Sequence, residues 1–170
     1  MQTVSRHPTG VGSLLVLLCL GCQQPSSDVE AANKAIVRQV YAALDAQDFE
    51  QLRQLWSEDF VLHYVGEPGP IAIDATFDLV RGFYAAFPDY THVIEDMIAE
   101  GDQVAVKLNY HATHQGEFEG IPATGGRISY AGAQIATIVD GVVTEWWALE
   151  DNLGLMLQLG MQLTPTEPGT

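Results

Sequence analysis

The apolar pattern changes period once along the chain, at Pro88, and that single change dictates the class of fold. Before it, apolar residues return every three or four positions. Val29, Ala32, Ile36, Val40 and Leu44 follow the N-cap candidate Asp28, and Leu79, Val80, Phe83, Tyr84 and Phe87 mark the stretch from Ala75 to Phe87. Pro88 ends that second stretch. Between them a short helix is predicted over Phe49–Trp56, with Phe49, Leu52 and Leu55 on one side, and Phe60–Val65 reads as a brief strand before the breaker Glu67-Pro68-Gly69-Pro70. After Pro88 the period is two. Tyr90–Ala99 alternates, Glu100-Gly101-Asp102 turns the chain, and Gln103–Gln115 follows as a long strand. Val104, Val106, Leu108 and Tyr110 share one of its faces, and Lys107, Asn109 and His111 the other. A Gly/Pro-rich loop at Gly116–Gly126 leads to a strand at Arg127–Val139. Asp140-Gly141 is a hairpin signal, Val142–Leu149 the last strand, and Leu153–Met161 a short closing helix. Helices followed by antiparallel strands make an α+β domain, its curved sheet wrapping the helices.

At 170 residues, 47% of them hydrophobic, the chain has enough apolar surface for one domain with a real core and no room for two. Its 7 basic against 22 acidic side chains give a net charge of −15, which would repel a phosphate backbone. No nucleic-acid partner is expected; small neutral or weakly charged ligands remain.

Residues 1–22 read as a targeting segment. Arg6 precedes the apolar run Val11–Leu20, about half of the roughly 20 residues a membrane-spanning helix needs, and the run ends in Gly21-Cys22. A small residue before a cysteine at that place resembles the bacterial lipoprotein lipobox. It implies lipidation of Cys22, export to the periplasm or cell surface, and a membrane anchor. An ordinary cleaved signal peptide is the alternative. Residues 23–28 would form a tether, 29–162 the domain and 163–170 a loose tail. Cys19 and Cys22 are the two cysteines, so cleavage before Cys22 leaves no internal disulfide, cysteine-based metal site or cysteine nucleophile.

The informative residues are polar groups on faces otherwise reserved for the core, where burial is costly. Parity along Gln103–Gln115 puts His114 on the Tyr110 face. Counting from Val143 through Trp147 and Leu149 points Asp151 inward, with Trp147 as cavity wall and Trp146 outside. His63 is a third candidate. A carboxylate among aromatics would have a raised pKa and could serve as a general base, and a nearby histidine could steady an enolate. Equally, Asp151 could be an N-cap and His114 a core histidine. His111 and His114 fall on opposite strand faces, and no metal site is expected. Neither a phosphate-binding glycine loop nor G-x-S-x-G occurs.

Phe87-Pro88-Asp89, Glu100-Gly101-Asp102-Gln103-Val104, Thr113-His114-Gln115-Gly116-Glu117-Phe118 with Gly120-Ile121-Pro122, and Glu145-Trp146-Trp147 through Asp151-Asn152-Leu153-Gly154-Leu155 to Gln158-Leu159-Gly160 occur in this order. With this set, residues 30–162 resemble the SnoaL-like polyketide cyclases (ester cyclases) of the nuclear transport factor 2-like superfamily. The resemblance implies a cone of N-terminal helices in a strongly curved mixed sheet, one apolar pocket at the wide end, and a homodimer through the outer sheet surface. It also implies ring closure by intramolecular aldol condensation of a small apolar carbonyl compound, without metal or organic cofactor. On it, Asp151 matches the acid/base aspartate, while His114 and His63 match family histidines. Gln134 stands where a second polar group is supplied, and Trp147, Phe83, Tyr84 and Tyr110 would wall the pocket. The alternative is an exported lipoprotein that binds small hydrophobic ligands in the same pocket without chemistry.

Overall fold

A computed structural model describes residues 26–164; the targeting segment, Cys22 and residues 165–170 lie outside the described residues. The elements are α1 (Ser26–Asp45), α2 (Phe49–Leu55), β1 (Trp56–Tyr64), β2 (Ile71–Ala72), α3 (Ile73–Ala86), β3 (Thr91–Glu100), β4 (Gln103–Thr113), β5 (Arg127–Val139), β6 (Val142–Glu150) and α4 (Asn152–Gln158). One six-stranded sheet runs β2-β1-β6-β5-β4-β3. Its pairs are antiparallel except β1 with β6, which is parallel. The fold is therefore α+β with helices packed on a mixed sheet. The parallel pair makes the sheet mixed, as the family resemblance implied: β1 comes early in the chain and returns to the sheet beside its last strand.

Local chemistry accounts for most of these elements. Asp48 caps α2 by accepting from the Gln51 N–H at 2.9 Å. Val104, Val106, Leu108, Tyr110 and Ala112 of β4 are buried, as strict alternation requires, and His114 beyond them is buried too. In α1 Asn33, Val37, Val40, Tyr41 and Ala43 are buried, while Val29 and Ala32 near its start are exposed. Asp140 and Gly141 take φ of 51° and 84°, the left-handed pair of a two-residue hairpin between β5 and β6.

Three register shifts break the alternation and bend the sheet. In β6, Thr137 pairs with Glu145 while Ile138 pairs with Val143, so Thr144 is the extra residue. Beyond it the parity reverses: Val143, Trp146 and Ala148 are buried, whereas Trp147 and Leu149 are 50% and 55% exposed. The inward assignment of Trp147, and of Asp151 by the same count, is thus overturned by one residue. Further shifts fall in β1 against β6 and in β3 against β4.

Candidate active site

The concave face of the sheet, closed over by α1, α3 and α4, leaves a cavity of about 720 Å³. Trp56, Phe60 and Leu62 of β1, Val80, Phe83 and Tyr84 of α3, Phe118 of the β4–β5 loop and Leu155 of α4 make its apolar walls. A hydrogen-bonded cluster of its polar groups lies where β6 ends. Because the Thr144 bulge reverses parity, Glu150 points into the cavity beside Gln134, Tyr64 and His92.

Gln134 is the hub. Its Oε1 accepts from the Tyr41 hydroxyl at 2.6 Å and the Trp146 indole N–H at 3.0 Å. Its amide N–H₂ donates to the Tyr110 hydroxyl at 2.8 Å and to Glu150 Oε1 at 3.4 Å. The Tyr64 hydroxyl lies 3.2 Å from Glu150 Oε2 and 2.9 Å from Asn152 Oδ1, with one proton to serve either. The Tyr90 and Tyr130 hydroxyls are 2.6 Å apart. The room for Tyr110 comes from Gly132, whose pro-Cβ position lies 2.6 Å from the Tyr110 ring.

Burial pushes the Glu150 carboxyl up from the ordinary glutamate range, and the hydroxyls of Tyr110 and Tyr64, the charge of His92 and the hydroxyl of Tyr130 pull it partly back. Burial first, then the Glu150 charge, raises Tyr41, Tyr64, Tyr90, Tyr110 and Tyr130, so all five stay neutral donors. His92, also in the lining, hydrogen-bonds Asp45: Nδ1 is 2.6 Å from Asp45 Oδ1, which also accepts the His92 backbone N–H at 3.0 Å.

The residues expected from sequence divide. Phe83, Tyr84 and Gln134 line the cavity, and Tyr110 supports its floor through Gln134. Asp151 is exposed and caps α4, accepting the Gly154 N–H at 2.8 Å, so the capping alternative describes its position. His63 points to the outer face, where its Nε2 lies 2.7 Å from Glu145 and its ring stacks on Trp147 at 5.4 Å. His114 is fully buried away from the cavity lining; it stacks on Phe87 and its Nδ1 meets the Thr124 N–H and hydroxyl, holding the β4–β5 loop. Sequence reasoning missed Glu150, Tyr41, Tyr64, Tyr130 and His92. For His92 a signal existed, since period two from Tyr90 puts it on the same face. For Glu150 none did without the bulge. Among the described residues, no three His, Cys, Asp or Glu side chains converge as a metal site would require.

The model of the SnoaL-like polyketide cyclase family matches residues 34–159. The aklanonic acid methyl ester cyclase DauD of Streptomyces sp. (strain C5) is 32% identical over 119 residues, 65% of this chain and 73% of DauD. Among solved structures, AclR of Streptomyces galilaeus, described as a candidate hydroxylase, is 33% identical with a TM-score of 0.72, over 77% of this chain and 97% of AclR. IdmH of Streptomyces antibioticus, a candidate polyketide cyclase, is 29% identical with a TM-score of 0.70, over 76% and 99%.

Proposed function

The chain belongs to the SnoaL-like polyketide cyclase family, and from the carboxyl enclosed in its cavity we propose that it closes a ring in a small apolar carbonyl compound by intramolecular aldol chemistry, with Glu150 as general base. The observation that carries this reading is the position of Glu150: inside the cavity, desolvated, and held among neutral hydroxyl donors. A carboxylate whose pKa is raised toward neutrality removes a proton next to a carbonyl better than one left in water. Tyr64, Tyr110 and Gln134 orient it. Ketosteroid isomerase, with an aspartate base in a similarly apolar site, is the chemical precedent.

The lining also bears on the substrate. Among the described lining residues Glu67, Asp78, Glu117, Glu119 and Glu150 are acidic and none is lysine or arginine. A free carboxylate would meet five acidic side chains and no lysine or arginine there, whereas a ketone or an ester would meet no such charge penalty. The methyl ester in the name of the DauD relative fits that preference and is the first compound to try.

The test is deuterium exchange at the acidic CH₂ of 2-tetralone, a small apolar ketone, followed by NMR. Glu150→Gln is expected to lose on the order of 100-fold or more in rate, and Asp151→Asn to keep it. Catalysed exchange equal in wild type and Glu150→Gln would remove Glu150 as the base, and exchange no faster than without protein in both would leave the cavity a carrier for small hydrophobic molecules. With aklanonic acid methyl ester, ring closure leaves the mass unchanged, whereas hydroxylation, the reaction in the AclR description, would add one oxygen atom.

Two further features belong to this reading. On the outer face, Ile98, Ala105, Ile135, Trp147 and His63 are paired in one row across five strands, which supports a homodimer through that face. Sedimentation of wild type against Trp147→Lys tests it. Acylation at Cys22 would tether the domain outside the cytoplasm; labelled palmitate should enter the wild type and not Cys22→Ser.

A further inference from the structure

Glu150 accounts for proton removal, but ring closure also creates negative charge on an oxygen, and the cavity holds a second polar pair that could meet it. His92 lines the cavity from the start of β3, with its side chain 7% exposed. Its Nδ1 and its backbone N–H both point at Asp45 Oδ1, so the ring is tied at two places to the end of α1. Three aromatic rings wedge it: Tyr41 at 5.2 Å, Tyr90 perpendicular at 5.0 Å and Tyr110 at 5.5 Å. With Nδ1–H given to the carboxylate, Nε2 faces the cavity, and in the imidazolium form it carries the second ring proton. No side chain among the described residues hydrogen-bonds Nε2. The Asp45–His92 pair and Glu150 are thus two acid/base elements brought to one cavity from α1, β3 and β6.

We propose that His92, oriented by Asp45, is the general acid of the site and protonates the substrate oxygen on which negative charge develops. The proposal rests on the reading of Glu150 as base. Glu150 takes the α-proton, and the C–H electron pair becomes the enolate, whose oxygen accepts a hydrogen bond from His92 Nε2–H as charge builds on it. The enolate carbon attacks the second carbonyl carbon, a C–C bond forms, and the π pair of that carbonyl moves to its oxygen. The proton on His92 Nε2 then passes to that oxygen. Glu150 ends protonated and His92 neutral, and solvent returns the proton from one to the other, so no oxidant, reductant or co-reactant is consumed. The groups that face His92 are Asp45 and Tyr41 from α1, Tyr90 ahead of β3, Tyr110 from β4 and, through its charge, Glu150 from β6.

The full chain is compared as wild type, His92→Gln, Asp45→Asn and Glu150→Gln. Two probes are used: 2-tetralone exchange across pH, and binding of 2-naphthol, a planar analogue of the enol. A base that must be ionised and an acid that must be protonated give a bell-shaped profile. His92→Gln is expected to lose on the order of 100-fold in exchange and the whole high-pH limb. Asp45→Asn should lose less in exchange, while Glu150→Gln removes the low-pH limb. Both histidine-pair variants should bind 2-naphthol more weakly than wild type and Glu150→Gln do. A high-pH limb unchanged in His92→Gln and a 2-naphthol affinity unchanged in His92→Gln and Asp45→Asn would overturn the assignment. Exchange that survives Glu150→Gln sinks the base instead, and 2-naphthol binding then decides His92 by itself. Circular dichroism checks that each variant is folded, and Asp45→Asn, which keeps the side-chain shape, guards against loss of structure in His92→Gln.

Discussion

Gly132→Ala is the substitution with the sharpest expected outcome. Gly132 lies opposite Leu108 in β4 and Glu150 in β6. A methyl group there would sit 2.6 Å from the Tyr110 ring, 2.8 Å from its hydroxyl and 3.1 Å from the Leu149 carbonyl. Ordinary contact needs roughly another ångström on the tyrosine side. The ring cannot swing freely, because it stacks between Tyr90 at 5.4 Å and Tyr130 at 4.7 Å. Overpacking of this kind costs about 1–3 kcal/mol. Loss of the bond from Gln134 to the Tyr110 hydroxyl adds about 1 kcal/mol, and the stiffer unfolded chain returns about 0.4–1 kcal/mol. The net is a loss of about 2 kcal/mol, or a fall in Tm of roughly 4–8 °C for a domain of this size. Displacing Tyr110 also removes the foremost of the groups that hold the Glu150 pKa down, so the low-pH limb of 2-tetralone exchange should move upward. Calorimetry and the exchange profile read the two effects, with Ala133→Ser on the exposed side of β5 as the control, expected within about 0.5 kcal/mol of wild type. An unchanged Tm together with an unmoved limb would show that Tyr110 is neither confined nor in contact with Glu150 in the way described.

Three other outcomes follow from the same geometry. The folded protein raises the Glu150 pKa, so folding favours the protonated carboxyl; its contribution is fully present below the unfolded glutamate pKa and lost as pH rises through the folded value. Glu150→Gln, which mimics the protonated form, should therefore melt above wild type at neutral pH, and the difference should shrink toward zero near pH ~4; a gap that grows on acidification would reverse the sign of the shift. Gln134→Leu strips the acceptor from the Tyr41 hydroxyl and the Trp146 indole and should cost about 2–4 kcal/mol, measured by urea titration. Asp151→Ala removes the α4 cap and should cost about 1 kcal/mol in the same titration while 2-tetralone exchange persists; lost exchange in a folded variant would return the catalytic role to Asp151.

How much of this was legible beforehand depends on whether the signal is local. The switch of period at Pro88, the hairpin at Asp140-Gly141, the buried face of β4 and the placement of Phe83, Tyr84 and Gln134 around a cavity all came from spacing or from family resemblance, and the structure agrees with each. Asp151, Trp147 and His63 went elsewhere because their assignment needed a register as well as a period. A bulge is decided by how a strand pairs with its neighbour, and one extra residue at Thr144 exchanges the two faces of everything after it.

Composition and periodicity alone thus determined the α+β class, the change from mainly helical to mainly extended chain at Pro88, and a strongly acidic protein. Only the tertiary structure decided which carboxyl is enclosed. The pKa of Glu150 is raised by removal from water, and its partners Tyr64, Tyr110, Tyr130 and Gln134 come from β1, β4 and β5, with His92 and its Asp45 from β3 and α1. Desolvation and convergence are properties of the enclosure, and no stretch of chain read by itself carries them.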